Sequence, residues 1–386
     1  AEAISGMLLL TPPDLMDRSL RDGAAWGRFG LKLRRMGDKE MMEFMRILPM
    51  PVSEYLNEWF ESKALKGALA APALLGNQLG PYGAGTTFML LYQHARGFLR
   101  RRAVVGGMGQ LSAALASAAR QHGAEIHLGT AVDHILLDGD RAAGIALADG
   151  SEIRARIVIS NADPRRTFFG LVGPTNLEPR FMRQVRNIIY RGVTAKINLI
   201  LSDLPQFNGQ TETSQLDGRI RISPSVEYLE RAYDAAKYGK LSPHPVLDMT
   251  IPTVLDPTLA PEGKHILSIT VQYAPYKLVD GNWGYQRELL GDTVLETLGH
   301  FAPNLQSLIL DRQILTPLDW EQTYGLTEGS IHQGQMSLDQ FLIMRPVSGW
   351  SRYRTAVEGL FLCGAGAHPG GGVTGAPGYN AAREAI

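Results

Sequence analysis

The sequence predicts an α/β chain made of two interleaved parts, a ligand-holding half and a second domain mixing sheet with helices. Three observations carry this expectation. The last stretch, Glu358 to Ile386, runs from a short apolar strand through a glycine-rich turn into a helix. Residues 99–165 read as a helix followed by short strands separated by Asp-Gly turns. Between these two segments lie three apolar or alternating runs suited to one antiparallel sheet.

Composition bounds the function. The chain has 386 residues, enough for two or three domains at about 150 residues each. Its 38 basic and 38 acidic side chains cancel, which argues against bulk electrostatic capture of nucleic acid. Arg100-Arg-Arg102 is the one strong basic cluster and reads as a solvated run. A single cysteine, Cys363, excludes an intrachain disulfide and a cysteine-based zinc site. The nine histidines show no metal-ligand spacing, so no metal is expected. No window approaches 18 consecutive apolar residues, the least a spanning helix needs.

Taken in order, residues 1–98 read as mainly helical. Asp38 is placed to cap a helix carrying Met41, Phe44, Met45 and Leu48, which Pro49 stops. Ser53 is placed to cap another, with Leu56, Trp59 and Phe60 following. Met36, Met41, Met42, Met45 and Met50 read as deformable core filler rather than a substrate tunnel. Gly76 to Gly85 is a loop. Gly106-Gly-Met-Gly109 precedes a helix bearing Leu111, Leu115 and Ala118 that ends near Gly123. Glu125–Leu128, Val132–Leu137, Ala143–Ala148 and Glu152–Ser160 follow as strands, and Asn161-Ala-Asp-Pro164 turns the chain. In 166–335 the strands are Thr194–Leu201, Val246–Ile251 and His265–Tyr273, and Gln286–Phe301 is a helix with Leu289, Val294, Leu298 and Phe301 apolar.

The terminal segment is the most informative. Leu360–Cys363 has the character of a buried strand. Gly364–Gly372 leaves the backbone free to approach a ligand or to take positive φ. Thr374 is placed to cap the last helix. Strand, turn and helix N-terminus direct unpaired N–H groups and a partial positive charge at one spot, which suits an anion or a ring that becomes anionic on reduction. The run Gly364-Ala-Gly366-Ala-His-Pro-Gly370 imitates a dinucleotide fingerprint, but Pro369 falls inside it and Ile386 ends the chain before a second strand. His368 is the titratable side chain inside the turn, open to a proton-transfer role or to a turn bond with backbone. Cys363 reads as a small buried residue at a strand end, and Tyr379 and Asn380 as packing residues.

This ending resembles the C-terminal FAD motif of the phytoene-desaturase-type flavoproteins. The resemblance extends over nearly the whole chain through Glu54-Tyr-Leu-Asn-Glu-Trp-Phe-Glu-Ser62, Gly106-Gly-Met-Gly109, Ile251-Pro-Thr-Val-Leu-Asp-Pro-Thr-Leu-Ala-Pro261, Ile314-Leu-Thr-Pro317 and Met336-Ser-Leu-Asp-Gln340. It implies an FAD/NAD(P)-binding-like cofactor half and a mixed sheet-and-helix substrate domain. The division is then 1–98 substrate domain, 99–165 cofactor return segment, 166–335 substrate domain and 336–386 FAD-contact segment. It implies FAD contacts at Val132, Asn161, Ala162, Gly364, Ala365, Gly372, Val373 and Thr374; His368, from its place in the turn, is the candidate catalytic residue. Members of the family open with a strand, a G-x-G-x-x-G turn and a helix that hold the FAD pyrophosphate. No such unit occurs here and the chain begins Ala1-Glu-Ala, so the expectation is a chain without its first segment.

A flavin brings its own redox chemistry, so the protein need only orient substrate, exclude water and tune the ring. The resemblance therefore implies hydride transfer between flavin and an apolar substrate of the isoprenoid kind. The compartment is not legible in the sequence; a soluble protein of the cytoplasm or mitochondrial matrix is the expectation. The resemblance leaves room for a peripheral membrane contact, a homo-oligomer or an N-terminal partner segment. The competing reading is a redox-inactive binding or regulatory protein that retains the fold.

Overall fold

The computed structural model describes residues 2–13, 20–97 and 103–386. Arg100–Arg102 lie outside the described residues, as do both sides of the expected boundary at 98 and 99. Among the described residues, ten strands form three sheets. A meander of β1 (Val132–Asp138), β2 (Arg141–Leu147) and β3 (Glu152–Arg154) turns at Gly139 and Gly150, both at positive φ. β4 (Val158–Ser160) pairs in parallel with β10 (Leu360–Leu362), with Val158 opposite Leu360. The third sheet has the order β6-β7-β8-β5-β9, from β5 (Thr194–Leu201), β6 (Ile220–Ile222), β7 (Val246–Thr250), β8 (His265–Gln272) and β9 (Ile309–Leu315).

The three apolar runs anticipated in 166–335 are therefore β5, β7 and β8, in one antiparallel sheet. Alternation along β5 buries Ala195, Ile197, Leu199 and Leu201 on one face. That face packs on the helix Trp283–Gly299, which Asn282 caps by accepting the Gly284 N–H. Its buried stripe is Leu290, Val294 and Leu298, whereas Leu289 and Phe301, expected apolar contacts, are exposed. The opposite face is polar: Lys196, Asn198, Ser268, Thr270 and Asp248 alternate with the core residues.

A second core gathers helices from the first hundred residues. The helix Lys63–Leu74, capped by Ser62, packs against Thr86–Ala95 and Val226–Lys237 through Ala70, Met89, Tyr92 and Leu229. Several expectations fail here. Ser53 is not a cap: the helix Val52–Asn57 follows Pro51, and Ser53 is buried inside it. Asp38 is the first helical residue, after Gly37. Trp59 and Phe60 fall beyond that short helix and are exposed. None of the five methionines expected as core filler is buried; in the helix Asp38–Ile47, which carries three of them, Ile47 takes the buried position.

Two strand expectations also fail. Glu125–Leu128 is not a strand, since no neighbouring strand among the described residues pairs with it. Glu152–Ser160 is not continuous; it breaks between β3 and β4, which enter different sheets. The helix Met108–Gln121 ends where expected, with Gly123 at positive φ, yet buries none of its residues.

Candidate functional site

β4 and β10 run in parallel, so Asn161 and Gly364 leave the carboxyl ends of neighbouring strands, where ligands of open α/β sheets bind. The Cys363 N–H bonds Ser160 O at 2.9 Å and carries the pairing one step past the strand. A Cβ on Gly364 would lie 2.5 Å from Asn161 O, so glycine is what lets the two segments touch. Gln333 completes the junction: its amide N–H donates to Asn161 O at 3.0 Å and its Oε1 accepts the Gly366 N–H at 2.8 Å.

Beyond this junction, buried polar side chains grip the carbonyls of the turn. Arg345, 2% exposed, donates to the carbonyls of Ala365, His332, Gly334, Gln335 and Gln340, the closest being His332 at 2.6 Å. Burial lowers its pKa to about 10, and the carbonyl dipoles stand where a carboxylate would be expected. The Tyr92 hydroxyl, on the helix Thr86–Ala95, lies 3.1 Å from Pro369 O and 2.9 Å from Gly371 O. The Tyr353 hydroxyl donates to His368 O at 2.9 Å and accepts from Asn380 Nδ2 at 2.8 Å.

With its carbonyls held, the turn presents its amides. The N–H groups of Gly371, Gly372, Val373, Thr374 and Gly375 have no hydrogen-bond partner among the described residues. They lead into the helix Ala376–Ala385, whose N-terminal dipole end adds partial positive charge. Gly375, not Thr374, is the N-cap residue; Thr374 Oγ1 accepts the Ala376 N–H at 3.2 Å from one position earlier. Gly375 and Val373 both adopt positive φ, which turns the chain sharply there.

The profile of the flavin-containing amine oxidoreductases matches residues 30–386. The chain belongs to that family. It is 38% identical over 367 residues to the rat pyridine nucleotide-disulfide oxidoreductase domain-containing protein 2, covering 91% of this chain and 63% of the rat protein. The chain thus spans less than two thirds of that relative's length. It is 28% identical to a phytoene desaturase of Fusarium fujikuroi, over 76% of this chain and 52% of that one. Among solved structures it is similar in fold to an oxidoreductase from Methanosarcina mazei (TM-score 0.55, 19% identity, 91% of this chain and 74% of that one). A putrescine oxidase triple mutant is similar in the same sense (TM-score 0.52, 14% identity, 100% and 72%).

Family membership makes FAD the cofactor. The residues at the turn fit its ring side, because a row of unpartnered N–H donors at a helix N-terminus is what a ring gaining negative charge requires. Of the anticipated contacts, Gly364 and Asn161 meet directly, with Ala162 beside them and Ala365 held by Arg345. Gly372, Val373 and Thr374 belong to the amide row. Val132 opens β1, paired with Leu147, and is 39% exposed.

His368 bonds backbone, one of the two roles its place in the turn left open, with a carbonyl outside the turn as partner. It is fully buried; its Nε2 lies 3.1 Å from Met7 O, and its ring packs on Phe341 at 5.8 Å. A carbonyl accepts only from an N–H, so Nε2 is the donor to Met7 O; Nδ1 has no hydrogen-bond partner among the described residues. Burial pushes its pKa down to about 4. The expected turn at Gly106–Gly109 has a different attachment, since the Asp256 carboxylate takes the Gly106 N–H at 2.6 Å. Asn380 packs as expected, whereas Tyr379 is exposed. Cys363 is half-buried with its thiol pKa raised by burial, consistent with an inert residue.

Sequence reasoning missed four side chains of consequence: Arg345, Gln333, His332 and Lys196. Buried His332 lies between two glycines: a Cβ on Gly76 or Gly371 would come within 2.6 or 2.4 Å of its ring nitrogens. Its pKa falls to about 3 through burial and the nearby Arg96 and Arg345 cations. Lys196, on the polar face of the five-stranded sheet, has its pKa lowered by burial to about 8. An isolated Arg-Pro or a lysine inside an apolar run was the available signal, and neither is distinctive.

Proposed function

We propose that this chain forms the ring-side and substrate part of an FAD-dependent oxidoreductase that transfers hydride equivalents between flavin and an apolar, isoprenoid-like substrate. The observation that carries the reading is the convergence of two parallel strand ends on a carbonyl-clamped turn whose amides remain available. When bound, the flavin supplies the hydride chemistry. The chain's own part is electrostatic and positional. Arg345 and Tyr92 hold the turn's carbonyls away from the ligand side, and residues 371–375 offer N–H donors to negative charge. On the substrate side Lys196 is partly neutral near pH 8 and can accept a proton there. Similarity to the Fusarium fujikuroi phytoene desaturase supports the isoprenoid class.

The phosphate cradle is assigned to a further nucleotide-binding segment or partner chain. Exposed apolar side chains on the cofactor side, Val105 at 81%, Leu115 at 65% and Leu128 at 83%, suit a covering surface of that kind. No helix among the described residues is long and apolar enough to cross a membrane. Titration of the chain alone with FAD is expected to show weak binding, because losing charge-assisted phosphate contacts costs about 1.5–3 kcal/mol each. Its longest natural form is expected to be yellow and to bleach when an apolar polyene is added without oxygen. Tight stoichiometric quenching by the chain alone would refute the division of labour. A colourless longest form would favour the redox-inactive reading.

A further inference from the structure

We propose that a groove beside the five-stranded sheet binds a small molecule carrying a diphosphate-type anion. The groove encloses about 560 Å³, the size class of small-molecule sites. Its charged lining is Arg165, Arg186, Arg191, Lys237 and Lys277 against the single carboxylate of Glu328. With the Asp234 carboxylate that pairs Lys237 counted as well, five cations and two anions leave three positive charges at a site in a chain whose total formal charge is zero.

These cations are not equivalent. Arg165 is engaged, with Glu328 at 3.0 Å and its guanidinium 4.6 Å over the Tyr190 ring. Lys237 pairs with Asp234 at 2.7 Å. Arg186, Arg191 and Lys277 form no ion pair among the described residues. All three are exposed, so their donors are open to a ligand in the groove, and guanidinium forks match phosphate oxygens.

The backbone at the groove is built to hold this arrangement. Arg191 and Glu328 are both non-glycine residues at positive φ, 37° and 51°. They face each other: the Arg191 N–H donates to Glu328 Oε2 at 3.3 Å, and the Gly192 N–H to Glu328 O at 3.1 Å. The opposite wall is tied by the Val279 N–H to Gly239 O at 2.9 Å and the Tyr276 N–H to Gly192 O at 2.8 Å. Left-handed backbone at two bulky residues is strained, and such strain collects at ligand-holding sites.

Calorimetric titration with sodium pyrophosphate at fixed ionic strength tests the proposal, with sodium sulfate as the comparison anion. The expected result is saturable pyrophosphate binding to the full chain that weakens at least tenfold in the double variant Arg191→Gln, Lys277→Gln. The variant Arg120→Gln, on a distant exposed helix, is expected to bind as the parent does. Circular dichroism melts establish that each variant is folded; should the double variant unfold, Lys277→Gln alone is expected to weaken binding about threefold. No pyrophosphate binding, equal binding by sulfate, or unchanged affinity in a folded Lys277→Gln variant would overturn the proposal.

Discussion

In the five-stranded sheet, β5 buries Ala195, Ile197, Leu199 and Leu201 against other aliphatic side chains, whereas the turn at 364–372 is held by Arg345, Tyr92, Tyr353 and Gln333 bonded to backbone. Apolar burial is non-directional and does not titrate. Hydrogen bonds to carbonyls demand geometry, and a clamp that loses its donor leaves several acceptors buried and unmet. The sheet can therefore absorb change by repacking, and the turn cannot. A cofactor surface gains from the second kind of construction, because fixed carbonyls keep the amides aimed at the ligand.

The largest test of this contrast removes the arginine. Arg345→Met is expected to cost roughly 3–5 kcal/mol, since it removes the donor from five carbonyls, of which only Gln335 O keeps another, the Gln340 amide. Leu199→Ala, at a fully buried sheet position, is expected to cost about 3 kcal/mol. Denaturant melts should show the Arg345 variant losing more, with flavin retention in the intact protein lost only in that variant. Equal effects on both properties would erase the distinction.

Acid should act on the turn and spare the sheet. His368 has a folded pKa of about 4 against an ordinary value of 6.5, so the unfolded chain binds its proton first. The stability it contributes is whole above pH 6.5 and is lost as pH falls toward 4, on the order of 3 kcal/mol. His368→Gln keeps a donor for Met7 O and does not titrate. Its melting temperature is expected to fall less than the parent's between pH 6.5 and 4.5. Buried His332 titrates in the same direction, so part of the slope persists. Parallel curves for parent and variant would be the contrary result.

Lys196 is the sheet's exception and moves the other way. Its folded pKa of about 8 lies below the ordinary 10.5, so below pH 8 the fold bears the cost of a buried charge, and this cost is relieved as pH rises toward 10.5. Lys196→Met is expected to stabilise the chain by about 2 kcal/mol at pH 7. The gain should shrink between pH 8 and 10. A variant less stable than the parent at pH 7 would show that Lys196 is held by favourable contacts instead.

The smallest effect on stability is expected at Gly372. Its φ is +130°, and a Cβ would lie 1.8 Å from the Arg96 guanidinium. Gly372→Val is expected to cost about 1–2 kcal/mol through strained backbone, yet to abolish flavin retention in the intact protein. Absorbance of the purified variant decides this, and full flavin content would count against the turn as a cofactor surface.

Much of this was legible in the residues themselves. Asp-Gly turns, alternation along β5 and β8, and a glycine run after an apolar strand are local signals, and each became the expected element. Glu125–Leu128 misled because four residues of strand composition form a strand only where a neighbour accepts their bonds. Met41, Met42 and Met45 misled because helical spacing says that a face exists, not what covers it.

By itself, then, the amino-acid order determined the α/β class, the glycine-rich turn between a strand and a helix, and the family through short runs such as Met336 to Gln340. What only the tertiary structure decided is which groups meet. No spacing announces that Arg345 reaches Ala365, that His368 bonds Met7, or that Gln333 bridges Asn161 to Gly366. Those partners are backbone atoms, which every residue carries, so nothing in a partner's identity marks it. Only the folded path of the chain brings them within reach.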